Sequence, residues 1–271
     1  MTYSIYGATG FIGNSFCKLF PNHIASQGRE ERKPITNDII YFISTTDNYN
    51  IHNNITLDVE TNLKVLCEVL DYCRSEDITF NFISSWFVYG KTELPAKEEY
   101  CCNPSGFYSI TKKAAEDLII SFCLTYNVKY RILRLCNALG RNDINASSKK
   151  NAITYMIELL KKNEDVFIYE GEPIRDVMHV DDICEAIKLV CENGHLNEIY
   201  NIGTGQPTKI SDIIERSKKY LNSKSNILTK AVPEFHKLVQ TADFWMDVSK
   251  LKSLGFSPKI STDSIIGELC H

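Results

Sequence analysis

Two hydrophobic periods alternate along this chain. Short apolar runs at Thr2–Tyr6, Ile39–Ile43, Ile78–Ile83 and Val128–Leu133 have the length and the β-branched or aromatic bias of buried strands. Between them, apolar residues recur three and four apart, as a helix with one buried face requires: Phe11–Phe20, Thr61–Cys73 (Leu63, Leu66, Leu70, Cys73) and the long Gly106–Tyr126. Asn22–Ser26 reads as a second short strand, with Gln27-Gly28-Arg29 as its exit turn. Further on, Asp181 reads as an N-cap, Ile183, Ala186, Ile187 and Val190 as one helix face, and Gly194 as the stop. A strand end at Tyr200-Asn201-Ile202 and two short helices, Ile210–Leu221 and Asp247–Leu254, complete the pattern, the second helix stopped by Gly255. Alternation of this kind predicts an α/β fold, a doubly wound parallel sheet followed by a small C-terminal domain.

The first strand runs into Tyr6-Gly7-Ala8-Thr9-Gly10-Phe11-Ile12-Gly13, glycines that open the first helix. In that context Gly7 permits a tight turn, Gly10 lets the backbone approach a pyrophosphate, and Gly13 lets helix pack on strand. The helix N-terminus supplies free N–H groups and a positive dipole end. About a hundred residues later, Tyr108 and Lys112 stand one turn apart on the long helix. Ser84-Ser85 ends the apolar run between the two motifs. Each piece alone is weak, since a Tyr-x-x-x-Lys is usually a surface pair. In this order they describe a dinucleotide site with a phenol beside it. Only the eighteen residues Pro21–Asp38 separate the first helix from Ile39, too few for the usual extra helix and third strand, so the adenine side is expected to be trimmed.

Composition narrows the partners. At 271 residues the chain can bury a substantial core, and 44% hydrophobic with 24% charged content is that of an ordinary soluble globule. A net charge of -4 argues against nucleic acid or an anionic membrane as main partner. No apolar run reaches transmembrane length, and a strand beginning almost at Met1 leaves no room for a signal peptide, so a cytoplasmic location is expected. The ten cysteines are scattered, without Cys-x-x-Cys or metal spacing. They read as small buried hydrophobes in a reducing compartment, with no metal.

Six motifs in order resemble the extended short-chain dehydrogenase/reductase superfamily, in its NAD-dependent epimerase/dehydratase group acting on nucleotide sugars. They are Gly7-x-x-Gly10-x-x-Gly13, Ser84-Ser85-x-x-Val88-Tyr89-Gly90, Asn103-Pro104 through Tyr108-x-x-x-Lys112 to Ala115-Glu116, Leu133-Arg134-x-x-Asn137-x-x-Gly140, Arg175-Asp176-x-x-His179-Val180-Asp181-Asp182, and Tyr200-Asn201-Ile202-Gly203. The resemblance runs nearly end to end and implies a Rossmann-like fold. Residues 1–140, with about 176–202, would bind the dinucleotide, and 141–175 with 203–271 the substrate. It further implies that Tyr108 is the acid/base, that Lys112 lowers the phenol from its usual pKa near 10 and holds the nicotinamide ribose, and that Ser85 bonds the same sugar oxygen. Gly7, Gly10, Phe11, Ile12, Gly13, Arg29, Ser44, Thr45, Asn62 and Lys112 would contact cofactor. Ser85, Trp86, Tyr108, Asn137, Arg175 and Lys237 would contact substrate, with Arg175 offering a diphosphate its planar fork. His179 is expected to be structural.

Departures from the family pattern carry further expectations. Sugar 4,6-dehydratases of the group place an acidic pair after the catalytic hydroxyl; Trp86 and Phe87 stand there and exchange no protons, so dehydration is not expected. A second diphosphate-binding Arg is common near the C-terminus, yet Val232–Met246 contains none, only Lys237 and His236 as basic groups. Strand two ends in Ser26-Gln27-Gly28-Arg29, an Arg without the acid that NAD enzymes use on the ribose, which favours NADP over NAD. The leading reading is a nucleotide-sugar 4-ketoreductase of deoxysugar synthesis. The runner-up is a 4-epimerase retaining NAD, and a reading of another class is a non-catalytic cofactor-sensing regulator, which would typically have lost Tyr108 or Lys112. A homodimer is expected, joined through Thr61–Cys73 and Gly106–Tyr126 with Leu63, Leu66, Leu70, Ala114, Leu118 and Phe122 as the face.

Overall fold

A computed structural model describes residues 1–271 apart from 76, 142, 144–145, 148–149 and 241–242. In chain order the strands are β1 (Tyr3–Tyr6), β2 (Ile24–Ser26), β3 (Asp38–Tyr41), β4 (Thr79–Ser85), β5 (Lys129–Leu135), β6 (Asn137–Leu139), β7 (Val166–Tyr169), β8 (Ile174–Arg175), β9 (Val177–His179), β10 (Glu198–Ile202), β11 (Thr208–Lys209) and β12 (Ile227–Lys230). The helices are α1 (Phe11–Leu19), α2 (Leu57–Val59), α3 (Val65–Leu70), α4 (Phe107–Tyr126), α5 (Ala152–Lys161), α6 (Val180–Asn193), α7 (Ile210–Leu221), α8 (Glu234–Val239), α9 (Ser249–Ser253) and α10 (Thr262–Cys270).

Six strands form the central sheet in the order β10-β5-β4-β3-β1-β2, every neighbouring pair parallel. The chain winds from β1 to β2 on one side and then crosses to β3 on the other. All six carboxyl ends lie along one edge, and the reversal between β1 and β3 opens a crevice there, where doubly wound sheets take ligands. As the short Pro21–Asp38 segment predicts, β2 is a three-residue edge strand, with no further strand beyond it among the described residues.

The sheet is buried on both faces, which explains its continuous apolar runs. One face packs Ile5, Phe16, Ile183 and Ile187 under α1 and α6; the other packs Tyr41, Phe80, Leu66 and Ile119 under α3 and α4. A third apolar cluster joins α5, α7 and α10 through Ile157, Leu160, Ile214 and Ile266. Asn201 ties the late chain to the sheet: its amide donates to Ala96 and Asp247 carbonyls and its Oδ1 accepts from Tyr89 at 2.7 Å. Among the described residues no helix is long and apolar enough to cross a membrane. All ten cysteines are free thiols.

Several boundaries differ from the sequence reading. The helix expected at Thr61–Cys73 begins earlier, at Leu57, and passes through a π-helical turn, Glu60–Lys64, before α3. His179 rather than Asp181 caps α6, its ring accepting the Asp181 N–H at 3.1 Å. The cap is invisible to residue preferences because His is not a usual N-cap. The helix expected over Asp247–Leu254 shortens to α9. The sequence reading passed over α5, α8, α10 and the strand pairs β6–β9, β7–β12 and β8–β11, short pieces whose pairing partners are far away in sequence.

Candidate active site

The edge of carboxyl strand ends gathers most of the residues singled out above. The turn after β1 leads straight into α1, whose N-cap Gly10 offers no side-chain cap and whose first turn holds no acid. Gly13 cannot be replaced cheaply: a Cβ there would lie 2.3 Å from the Gly7 carbonyl oxygen. Phe11, Ile12 and Gly13 thus present the first-turn N–H groups of a helix, with its positive dipole end, to the crevice.

Opposite, a buried polar brace fixes the loop after β3. Asn62 accepts from Ser44 Oγ at 3.1 Å and from Thr45 N at 2.8 Å, and donates to Thr45 Oγ1 at 2.8 Å and Thr111 Oγ1 at 2.9 Å. Asp58, one turn earlier, accepts from Thr45 Oγ1 and from Asn50. Ser44, Thr45 and Asn62, all expected to contact a cofactor, are brought together in this brace. These groups bond one another, and Asn62 joins the loop to α4. The signal in the sequence was only the Asp58/Asn62 spacing of four on a helix. Two polar atoms near the crevice are buried without partners, Gln27 Nε2 just after β2 and Asp58 Oδ2.

One face of α4 carries Tyr108, Lys112 and Glu116, each four residues from the next and each buried. Tyr108 packs edge-on to Phe87 with centroids 5.7 Å apart. Burial pushes its phenol up to about 12; a hydrogen bond with Ser85 pulls the other way, and the carboxylates of Asp58 and Asp47 add to the rise. Ser85 sits at the end of β4, where it also accepts the Phe87 N–H at 3.3 Å. Lys112 Nζ donates to the Ile83 carbonyl at 2.6 Å and lies 4.1 Å from the Phe82 ring centroid. Burial pulls its pKa down to about 7, against the opposing charge of Glu116. Lys112 thus stands one turn from Tyr108 with its Nζ on a backbone carbonyl, and burial is the largest influence on both groups.

Behind this column Glu116 is fully buried. It accepts from Ser84 Oγ at 2.5 Å and forms a fork with Arg134, whose Nε and Nη2 stand 3.1 and 2.8 Å from its two oxygens.

A cavity of about 620 Å³ adjoins Trp86 and Phe87 and is walled in part by Asn137, Arg175, Lys230, His236 and Lys237. Trp86 is stacked between Phe87 (4.0 Å) and Phe244 (4.7 Å), with the Arg175 guanidinium 5.2 Å from its ring. Asn137 reaches the wall from β6, its amide donating to the Asp176 carbonyl. Asp176 itself is taken up by Thr204 and Gly205. Lys237, expected to contact substrate, lines this cavity and pairs with Glu234 at 2.6 Å. Its neighbour His236 was not in the expected set, yet its ring turns inward to Tyr49 and Tyr169. Residues 241–242 of the Val232–Met246 stretch lie outside the described residues. His179 is structural as expected, its Nε2 3.2 Å from Glu268. Arg29 is exposed just past β2, its carbonyl accepting from Arg32. No group of three or more His, Cys, Asp or Glu able to hold a metal occurs among the described residues.

Comparison with known proteins places this geometry. The model of the NAD dependent epimerase/dehydratase family matches residues 36–203. A putative UDP-glucose 4-epimerase of Methanocaldococcus jannaschii is 27% identical over 230 residues, 82% of this chain and 73% of that one. A GDP-6-deoxy-D-mannose reductase of Pseudomonas aeruginosa is 29% identical over 143 residues, 51% of this chain and 47% of that one. Among solved structures, RMD from Pseudomonas aeruginosa complexed with NADPH superposes with a TM-score of 0.86 at 19% identity, covering 99% of this chain and 97% of that one. The UDP-glucose 4-epimerase of Thermotoga maritima with UDP-glucose gives 0.86 at 21% identity and the same coverage. At that identity the superpositions show the fold, while the matched family model covers well over half the sequence. The chain belongs to the NAD dependent epimerase/dehydratase family of enzymes.

Proposed function

We propose that this enzyme is an NADPH-dependent reductase of a nucleotide-bound 4-keto-6-deoxyhexose, with Tyr108 as proton donor. The observation that carries the reading is a buried Tyr108 phenol beside Ser85, with the stacked Trp86–Phe87 pair where a dehydratase would place its acids. Reducing a ketone needs a proton for the developing alkoxide, and a neutral phenol held beside Ser85 supplies one. The stacked Trp86–Phe87 pair offers no acid for dehydration.

The residues present fit a dinucleotide. The uncapped α1 N-terminus suits a pyrophosphate, the crevice-side orphans Gln27 Nε2 and Asp58 Oδ2 suit ribose or amide groups, and Lys112 lies within reach of Tyr108's end of the cleft. When bound, the nicotinamide supplies the hydride. Ser85 orients the sugar oxygen, Tyr108 moves the proton, and Arg175, aided by Asn137, holds the diphosphate. In this reading residues 1–140 with about 176–202 bind the dinucleotide, and 141–175 with 203–271 the nucleotide sugar.

NADP preference rests on Arg29, with Ser26 where an acid would otherwise be. A guanidinium–phosphate contact contributes about 1.5–3 kcal/mol, so Arg29→Ala should weaken NADPH roughly ten- to a hundredfold and spare NADH. Titrating both cofactors decides it; equal losses, or none, remove the case for NADP.

A second reading, a 4-epimerase that retains NAD, is supported by the Methanocaldococcus relative, which aligns with more of this chain than the reductase does. The two are separated by asking whether NADPH is consumed stoichiometrically with an NDP-4-keto-6-deoxyhexose, or NAD stays bound while the sugar's 4-hydroxyl inverts.

We further propose a homodimer, with a corrected face. Leu66 and Leu70 are buried in the core and are excluded from it. What remains at least partly exposed is a stripe on α4 of Ile110, Ala114, Leu118 and Phe122, each four apart, and Val59, Leu63 and Cys67, with Leu63 and Phe122 also packing on the core. Ile110, Leu118 and Val59 are 40–49% exposed, a cost that a partner would remove. Leu118→Glu should convert the protein to monomer in light scattering; a wild type already monomeric at micromolar concentration rejects the dimer.

A further inference from the structure

We propose that His236 supplies a positive charge to the diphosphate of a nucleotide sugar and acquires that charge only on binding, so that substrate capture takes up a proton. The inference rests on the nucleotide-sugar reading of the cavity.

Two basic residues, His236 and Lys237, stand side by side on α8, and both line the cavity. Lys237 adds a further cation to that wall and is more exposed, paired with Glu234 at 2.6 Å. His236 enters the wall of the 620 Å³ cavity, its Nδ1 2.9 Å from the Tyr49 hydroxyl and its ring 4.7 Å from Tyr169. Tyr49 occupies one ring nitrogen and leaves Nε2 for a ligand. Every element packed around it contributes to its charge environment. Arg175 on β8 and Lys230 on β12 are the cations facing it. Tyr169 and Glu170 come from the β7 end of the wall, and Glu170 is the acid there. From the loop after β3 come Tyr49, with Asp47 bonded to its N–H, and His52, whose ring packs on Phe235 4.5 Å away.

Burial first, then the charges of Arg175 and Lys230, pull the free imidazole down to about 4, so it is neutral near pH 7. A diphosphate between the three groups reverses the balance. Its charge offsets the two cations, and its oxygens accept a hydrogen bond from the protonated ring. The pKa is thereby raised on binding. The extra affinity is fully present below the free-state pKa and is lost as pH rises through the pKa of the complex. Between the two, affinity falls up to tenfold per pH unit and about one proton is taken up.

The test is calorimetric binding of UDP-glucose, GDP-mannose and dTDP-glucose to the whole protein, in buffers of different ionisation heat, from about pH 5 to about pH 7.5. These diphosphate diesters do not titrate in that range, so the proton belongs to the protein. The expected result is proton uptake by wild type with whichever sugar binds, and affinity that strengthens toward low pH. His236→Arg, with a fixed charge, should bind with no uptake at that site and a flatter pH profile; His236→Gln should bind more weakly and equally flatly. Binding with the same uptake in wild type and His236→Arg would overturn the proposal while leaving the nucleotide-sugar reading intact. Binding of none of the three sugars by any of the proteins would overturn both.

Discussion

Tyr108→Phe is expected to leave the fold intact and to lower turnover by roughly 10²–10⁴, the usual scale for a positioned acid. The substitution removes one oxygen and keeps the ring that packs edge-on to Phe87. Burial of the phenol costs nothing that Phe does not also satisfy, so stability should be unchanged or slightly raised. What disappears is the proton for the sugar oxygen, which water cannot replace from behind the Trp86–Phe87 stack. Cofactor affinity should hardly move, because Lys112 is untouched. Turnover within a few-fold of wild type, on a substrate the wild-type protein converts, would remove Tyr108 from the chemistry and with it the reading of this cleft.

The largest stability effect is expected one layer deeper, at Glu116→Gln. The Glu116–Arg134 pair is almost wholly buried, with side-chain exposures of 1% and 3%. Its carboxylate accepts from Ser84 as well as from the guanidinium fork, and Arg134 also bonds the Glu98 carbonyl and lies 4.7 Å from the Tyr89 ring centroid. Glutamine preserves the volume but leaves the guanidinium buried without its counter-ion, a change that costs about 3–5 kcal/mol. Urea unfolding measures it directly, and pairing the variant with Arg134→Met should recover part of the loss, since the two residues act as one unit. A loss below about 1 kcal/mol, the range of an exposed ion pair, would mean that water reaches this pair. The effect carries to the site because Glu116 is the acid opposing the desolvation of Lys112.

The legible parts of this protein are those whose physics is local. A glycine turn between a strand and a helix, a Tyr and Lys one turn apart, and runs of apolar residues with period 3.6 or buried-strand composition each specify their structure within a few residues. The central sheet, its trimmed edge at β2 and the buried face of α4 follow from such signals. What was not legible depended on distant partners. The β6–β9 and β7–β12 pairs join segments forty to sixty residues apart in sequence, which no window of the chain displays. The polar brace that Asn62 forms with Thr45 and Thr111 spans up to forty-nine residues of sequence and is equally hidden. Lys237 and His236 are neighbours of like promise in sequence, and only the fold shows that both line the cavity, His236 bonded to Tyr49 and Lys237 to Glu234. The surroundings of Tyr108 and Lys112 were hidden for a related reason. The Tyr–Lys spacing is visible in sequence, but the Ile83 carbonyl that claims the ammonium and the depth of burial are not.

The central claim is that Tyr108 protonates a sugar oxygen while a nicotinamide delivers hydride to the same carbon. Its most direct test is to identify the cofactor carried by the purified protein by mass and absorbance, and then to add an NDP-4-keto-6-deoxyhexose with NADPH in excess. The account predicts an empty or exchangeable site and one NADPH oxidised per sugar reduced at C4. Tightly retained NAD, unchanged in amount while a nucleotide hexose inverts at C4, would contradict it.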